Sequence, residues 1–348
     1  MKELSRWFEK IARPLPWREN HDPYRIWVSE IMLQQTQVDT VLGYYSRFLN
    51  RFPSLKSLAE SKEQDVLTLW SGLGYYRRAK NLRAGAQYLM AQGGHFPKTR
   101  EEILKVPGIG PYTAGAILSI AFNLPQPLVD GNVNRVFARY FGVKDPIQKG
   151  TTQKLFWSKA SELVKTSDSP RIHNQALMEL GSLVCKKGTP LCERCPIAKN
   201  CAAFKNNLQL ELPVSLPRKA TQEVHWIGLV FVKKVPRGKD LFFVKQNIGT
   251  SWWDGLWDFP ILEKPLNIDW DKAANLVSQK MGQKLKITPL NHVQHSVTHH
   301  RIQVAPFIVE KKVTKPMGHS GRWLSVEEIG ELPLSSLAKK IFRQLPLC

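Results

Sequence analysis

Four cysteines, Cys185, Cys192, Cys195 and Cys201, fall within seventeen residues at the spacing C-x6-C-x2-C-x5-C. The residues among them, including Lys186, Lys187, Pro190, Pro196, Lys199 and Asn200, are too polar and too rich in proline for a core segment. The first ten residues carry charge throughout and lack an apolar signal stretch, so a reducing compartment is expected, where disulfides do not persist. Thiols this close then point to a metal centre, and the loop that carries them must close around it. Four thiolates suit tetrahedral zinc or a cubane iron–sulfur cluster, and ligand chemistry alone leaves both open. Cys348 stands apart and is expected to be a free thiol.

A chain of 348 residues exceeds what one hydrophobic core usually holds, so two domains are expected. Fifty Lys and Arg against 29 Asp and Glu leave a formal charge of +21, an excess that favours a polyanionic partner. No run of eighteen apolar residues occurs, which argues against a membrane helix and for a soluble, cytoplasmic protein.

From Leu4 to about Ala203 apolar residues recur at intervals of three and four, as in Phe156, Ala160, Leu163 and Val164, so residues 1–209 read as an all-α domain. The pattern breaks over 210–221, where Pro213, Pro217, Arg218 and Lys219 suggest a linker. Residues 222–348 change period: strand-like runs are expected at Trp226–Val232, Leu241–Lys245 and His292–Val309, with helices at Trp270–Met281 and Ser336–Leu345. That is a mixed α+β domain.

Within the helical part, Ile103 to Phe122 reads as a helix end, a turn Val106-Pro107-Gly108-Ile109-Gly110, and a second helix opened by Pro111. Gly108 and Gly110 leave backbone N–H groups free to approach an anion, and for a basic protein the natural anion is a DNA phosphate. Such a grip is indifferent to base sequence.

Asp22-Pro23-Tyr24, the run from Trp27 to Val38, Gly72-Leu73-Gly74-Tyr75-Tyr76, the hairpin, Val129-Asp130-Gly131-Asn132-Val133 and the four cysteines stand in one order between residues 15 and 201. In that order they resemble the MutY-type adenine DNA glycosylases of the helix-hairpin-helix superfamily. The resemblance implies an all-α glycosylase domain with a [4Fe-4S] cluster on Cys185, Cys192, Cys195 and Cys201, followed by a Nudix-like domain. It implies a bacterial-type, nucleoid-associated monomer that acts on double-stranded DNA with 8-oxoguanine:adenine mispairs, excises the adenine, and so prevents G:C to T:A transversions. A basic loop of Lys186, Lys187, Arg194 and Lys199 would then be fixed against DNA phosphates.

Breaking an N-glycosidic bond needs an acid for the departing base and a carboxylate for the cationic sugar. Glu30, among Val28, Ile31, Met32 and Leu33, is expected to be the acid, its pKa raised by desolvation. Asp130 is expected to be the ionised carboxylate, held with Asn132 in a helix-start turn where N–H donors face it. Tyr112 stands where related strand-cutting enzymes carry an attacking lysine, so the resemblance implies hydrolysis without a lyase step. It also implies that Gln35 and Tyr75 wedge into the duplex, that Thr36 and Leu73 approach 8-oxoguanine, and that Leu15, Trp17, Arg18 and Gln175 line the adenine pocket.

In the second part, Trp252 to Pro260 resembles the family's Nudix-like domain but lacks the Glu-rich helix that binds magnesium, so no pyrophosphatase activity is expected. His295-Ser296-Val297-Thr298-His299 resembles the lesion-sensing loop, with Val297 replacing an aromatic residue and Thr298 and His299 able to hydrogen-bond the damaged base.

Overall fold

The helix Pro23–Leu33 is apolar on nearly every side and is correspondingly enclosed, with Tyr24 and every residue from Ile26 to Met32 buried. Asp22 caps it by accepting from Tyr24 N at 2.8 Å, and Pro23 occupies the first helical position, where its missing N–H is no loss. This places Glu30 inside a core. The computed structural model describes residues 2–217, 220–250, 252–263, 272–280, 286–310 and 321–345. By contacts the chain divides into two compact units: Met1–Ser61 with Asn81–Pro217, and Lys62–Lys80 with Arg218–Cys348.

In the first unit the central helix packs against Val38–Arg51, the turn Pro16–Arg18, and the hairpin helix Pro111–Ala116, which widens into a π-type turn over Ile117–Ala121. Helix Pro170–Leu183 packs against Lys2–Ile11, Gly131–Tyr140 and Gly150–Lys165. Two glycines set these distances. A Cβ on Gly115 would lie 2.0 Å from Pro127 O, and one on Gly181 would lie 2.5 Å from Asn132 Cβ. Only glycine allows the hairpin helix and Pro170–Leu183 to close on the irregular segment and helix start that carry Asp130. The described part of 210–217 runs along this unit: Leu212 O accepts from Arg139 Nε at 2.8 Å and Val214 O from Ile147 N at 3.0 Å.

The second unit contains a mixed sheet of β1 (Gln222–Lys233), β2 (Leu241–Gln246), β3 (Trp257–Asp258), β4 (Ile261–Glu263), β5 (Lys286–Pro289), β6 (Val293–Val297), β7 (His300–Glu310) and β8 (Arg322–Leu324). Its order is β3-β2-β1-β7-β5, with β4 on β1, β6 on β7 and β8 on β2. At its centre β1 and β7 run parallel, from Gln222 opposite His300 to Val232 opposite Glu310. Alternation splits β1 between two cores: Val230 and Val232 pack with Leu337, Ala338 and Ile341 of helix Ser336–Phe342, while Leu229 and Phe231 pack with Ala273 and Val277 of helix Ala273–Lys280. The run expected at His292–Val309 is two strands, because Thr298 adopts φ 54° and turns the chain back between β6 and β7. Trp270, Met281, Arg218, Lys219 and Cys348 lie outside the described residues. Among the described residues no helix is long and apolar enough to cross a membrane.

Candidate active site

Glu30 is 3% exposed, and the Tyr112 hydroxyl donates to its Oε2. Burial pushes the Glu30 carboxyl up to about 7, the Tyr112 hydrogen bond pulls against that, the nearby Asp130 adds to it, and Arg18 opposes it. Asp130 is the N-cap of Gly131–Tyr140: Oδ1 accepts from Val133 N at 2.7 Å and Oδ2 from Asn132 Nδ2 at 3.0 Å. Burial raises the Asp130 carboxyl above its ordinary value, while these donors, aimed at its charged form, draw it back. The two carboxyls therefore differ in environment: Glu30 is enclosed with one hydroxyl donor, and Asp130 accepts from N–H donors on both oxygens.

Both face a cavity of about 470 Å³, whose wall also includes Tyr112, Asn132, Leu15, Trp17, Arg18, Thr36 and Gln175. One cavity thus gathers the four residues expected to act in catalysis, the four expected in the base pocket, and Thr36. A second cavity of about 540 Å³ shares Tyr112 and Asp130 and is lined by Gln35, Gly108 and Gly110. Gly108 has φ 81°, and Gly110 precedes the hairpin helix with open space where a Cβ would be, which leaves the backbone exposed at that helix start. Gln35 has φ 58°, a left-handed conformation unusual for glutamine.

Leu73, Tyr75, Thr298 and His299 belong to the second unit. Leu73 is buried, whereas Tyr75 is 51% exposed at φ 48°. The Arg78 guanidinium lies 5.5 Å from the Tyr75 ring and donates to Leu73 O and Gly74 O, both at 3.2 Å, so this loop has a fixed shape. Thr298 and His299 form the tip between β6 and β7, with Thr298 Oγ1 3.4 Å from His299 Nδ1. Val297 packs against the core shared by β1 and helix Ser336–Phe342. Behind the tip, the rings of Trp252 and His300 lie 4.9 Å apart.

Cys185, Cys192, Cys195 and Cys201 line one small cavity of about 30 Å³, with Arg139, Val184, Pro190, Ala198 and Phe204. Burial raises the thiols of Cys192, Cys195 and Cys201, Cys195 to about 11. Thiolates in such a site call for a bound cationic centre. Among the described residues no three His, Cys, Asp or Glu side chains are gathered closely enough to hold one metal ion.

A family model for HhH-GPD superfamily base excision DNA repair proteins matches residues 28–162, and one for the NUDIX domain matches residues 234–344. The adenine DNA glycosylase of Buchnera aphidicola subsp. Baizongia pistaciae is 36% identical over 319 residues, covering 89% of this chain and 86% of that protein. The chain belongs to the adenine DNA glycosylase family. The Homo sapiens adenine DNA glycosylase is 33% identical over 407 residues, covering 98% of this chain and 72% of the human protein. Among solved structures, a thermostable thymine-DNA glycosylase superposes with a TM-score of 0.53 at 28% identity, covering 59% of this chain and 94% of its own. The expected helix-hairpin-helix glycosylase fold followed by a Nudix-like domain is therefore correct.

Two features of this adenine DNA glycosylase family member escaped the motifs. Glu179, 1% exposed on helix Pro170–Leu183, lines the same cavity and is gripped by Arg13 and Arg18. Its signal was one acidic residue in the apolar stretch Ala176 to Leu180, but its partners are 161 and 166 residues away in sequence. Arg135 donates to Asn132 Oδ1 at 2.8 Å, to Gly181 O at 2.6 Å and to Cys185 O at 2.7 Å. One guanidinium thus joins the turn that holds Asp130 to the start of the cysteine loop.

Proposed function

We propose that this DNA glycosylase excises adenine paired with 8-oxoguanine or guanine in duplex DNA, hydrolysing the N-glycosidic bond and leaving the strand uncut. The observation that carries the reading is Glu30, whose carboxyl is held near 7 by burial in the same cavity as the hydrogen-bonded Asp130. Adenine extruded from the helix would enter the cavity between Leu15, Trp17, Arg18 and Gln175, while Gln35 and Tyr75 fill the gap it leaves. Their left-handed backbones fit that role, since strain of this kind collects at functional sites.

Glu30 gives its proton to the departing base as the bonding electron pair leaves with adenine. The charge of Asp130, supported by Val133 N and Asn132, stabilises the cationic sugar that results. Water then adds at the sugar carbon, and its proton returns to Glu30. Tyr112 has no amine with which to form a Schiff base, and no lysine is among the described residues that line the cavity. This favours hydrolysis over a lyase step.

Cys185, Cys192, Cys195 and Cys201 would hold a [4Fe-4S] cluster. The fit rests on the donor set: four thiols line one small, largely apolar cavity, and thiolates are the side chains that hold such clusters. When bound, the cluster supplies a rigid crosslink that presents Lys186, Lys187, Arg194 and Lys199 to phosphates. Gly108 and Gly110 would grip a further phosphate, and Leu73, Thr36, Thr298 and His299 would meet the 8-oxoguanine side of the mispair. Release of adenine from duplexes with 8-oxoguanine, guanine or thymine opposite tests the reading. It expects 8-oxoguanine to support the fastest release and thymine none, and equal release from all three would refute the mispair assignment.

A further inference from the structure

The cavity wall that holds Glu30, a carboxyl that on the reading above must keep a proton, also carries two guanidinium groups. Arg18 faces Glu30 and favours its charged form. Arg13 lines the same cavity. Between them stands Glu179, enclosed on helix Pro170–Leu183, whose Oε1 accepts from Arg13 Nε at 2.7 Å and whose Oε2 accepts from Arg13 Nη2 at 2.8 Å and Arg18 Nη2 at 3.0 Å. Arg18 is further fixed by Arg13 O at 3.2 Å and by the ring of Phe8, 5.1 Å from its guanidinium carbon.

We propose that Glu179 is a positioning residue of the base pocket, which orients Arg13 and Arg18 and offsets part of their charge so that Glu30 keeps its proton. The proposal rests on Glu30 being the acid. Its physical basis is the pairing geometry: a carboxylate with both oxygens engaged by two guanidiniums stays ionised inside the protein, and it fixes the planes of both. Although burial alone would raise it, hydrogen bonds from Arg13 and Arg18 hold the Glu179 carboxyl down at about 2. The other ionisable groups on the cavity wall are Tyr112 from the hairpin helix, Asp130 from the N-cap of Gly131–Tyr140 and Asp39 from Val38–Arg51. The Asp39 charge also bears on Arg13, but Glu179 is the carboxylate that hydrogen-bonds both guanidiniums. Without its charge, the pull of Arg18 on Glu30 would no longer be offset by the carboxylate that Arg18 grips, and the acid would lose its proton at lower pH.

The test reads Glu30 directly. Protein labelled with carbon-13 at glutamate carboxyls is titrated by NMR, with Glu30 assigned by its loss in Glu30→Gln, and the single-turnover rate of adenine release is followed over the same pH range. Glu179→Gln is expected to lower the Glu30 midpoint by about one unit, as an unmasked neighbouring charge does, and to move the alkaline fall of the rate with it. Adding Arg13→Gln to that variant removes one uncompensated charge and is expected to bring the midpoint back towards native. An unchanged Glu30 midpoint in folded Glu179→Gln overturns the proposal, as does failure of both variants to fold, which would make Glu179 a fold residue. The carboxyl titration needs no substrate. A native protein that released no adenine would therefore overturn the functional reading separately, and the NMR comparison would still decide whether Glu179 governs the Glu30 proton.

Discussion

Arg139 Nη1 lies 3.3 Å from Cys185 Sγ and also donates to Lys186 O at 2.8 Å, while Nη2 donates to Gly188 O at 3.2 Å and Nε to Leu212 O at 2.8 Å. A 3% exposed cation thus supplies the donors that shape the cysteine loop. Arg139→Met keeps the stem and removes every donor, leaving the enclosed Leu212 carbonyl unpaired while those of exposed Lys186 and Gly188 turn to water, so a loss of about 1–3 kcal/mol in stability is expected. Iron content per chain should fall with it. A variant that melts and loads iron as the native protein does would contradict this role.

Glu30 costs the fold stability. Its folded carboxyl is raised to about 7 from an ordinary 4.5, so the folded state binds the extra proton between those values and stability declines as pH rises through that window. At pH 8 the penalty is on the order of 3 kcal/mol. Glu30→Gln should therefore melt higher than the native protein at pH 8, and the gap should close near pH 4.5. A gap that stays constant with pH would mean that Glu30 is not raised.

Tyr112→Phe removes the hydroxyl that favours the charged form of Glu30. The Glu30 midpoint should rise, and the alkaline fall in the rate of adenine release should move to higher pH, read by single-turnover kinetics across pH 6 to 9. No movement of that limb would show that the hydroxyl does not act on the acid.

Gly115→Ala would bring a methyl against Pro127 O, where backbone cannot easily yield. The expected loss is about 1–3 kcal/mol, measured by denaturant unfolding, with a slower adenine release because the segment leading to Asp130 shifts. Gly131→Ala, with open space at its Cβ, is the control and should be close to neutral in stability.

The parts of the site that one stretch of chain supplies were legible in the sequence. The cysteine spacing, the Gly108–Gly110 turn, Glu30 in its apolar helix and Asp130 at a helix start all announce themselves locally, and the structure brings Glu30, Asp130, Tyr112 and Asn132 to one cavity. The illegible parts depend on distance. Glu179 reads as an ordinary helical acid until Arg13 and Arg18 arrive from the other end of the domain, and Arg135 reads as a surface base until it meets Cys185 O. In the second unit β3, β4 and β8 are two or three residues long, too short to show a period of two, and the hairpin at Thr298 has no glycine to mark it.

Hydrolytic removal of adenine without strand cleavage is the role proposed for Glu30. The most direct test incubates the protein with a duplex carrying one adenine opposite 8-oxoguanine, with half of each sample heated in alkali and Glu30→Gln run beside it. Strand breaks at the adenine are expected only after alkali, and none in the variant. Breaks without alkali, or equal breaks in Glu30→Gln, would contradict that role.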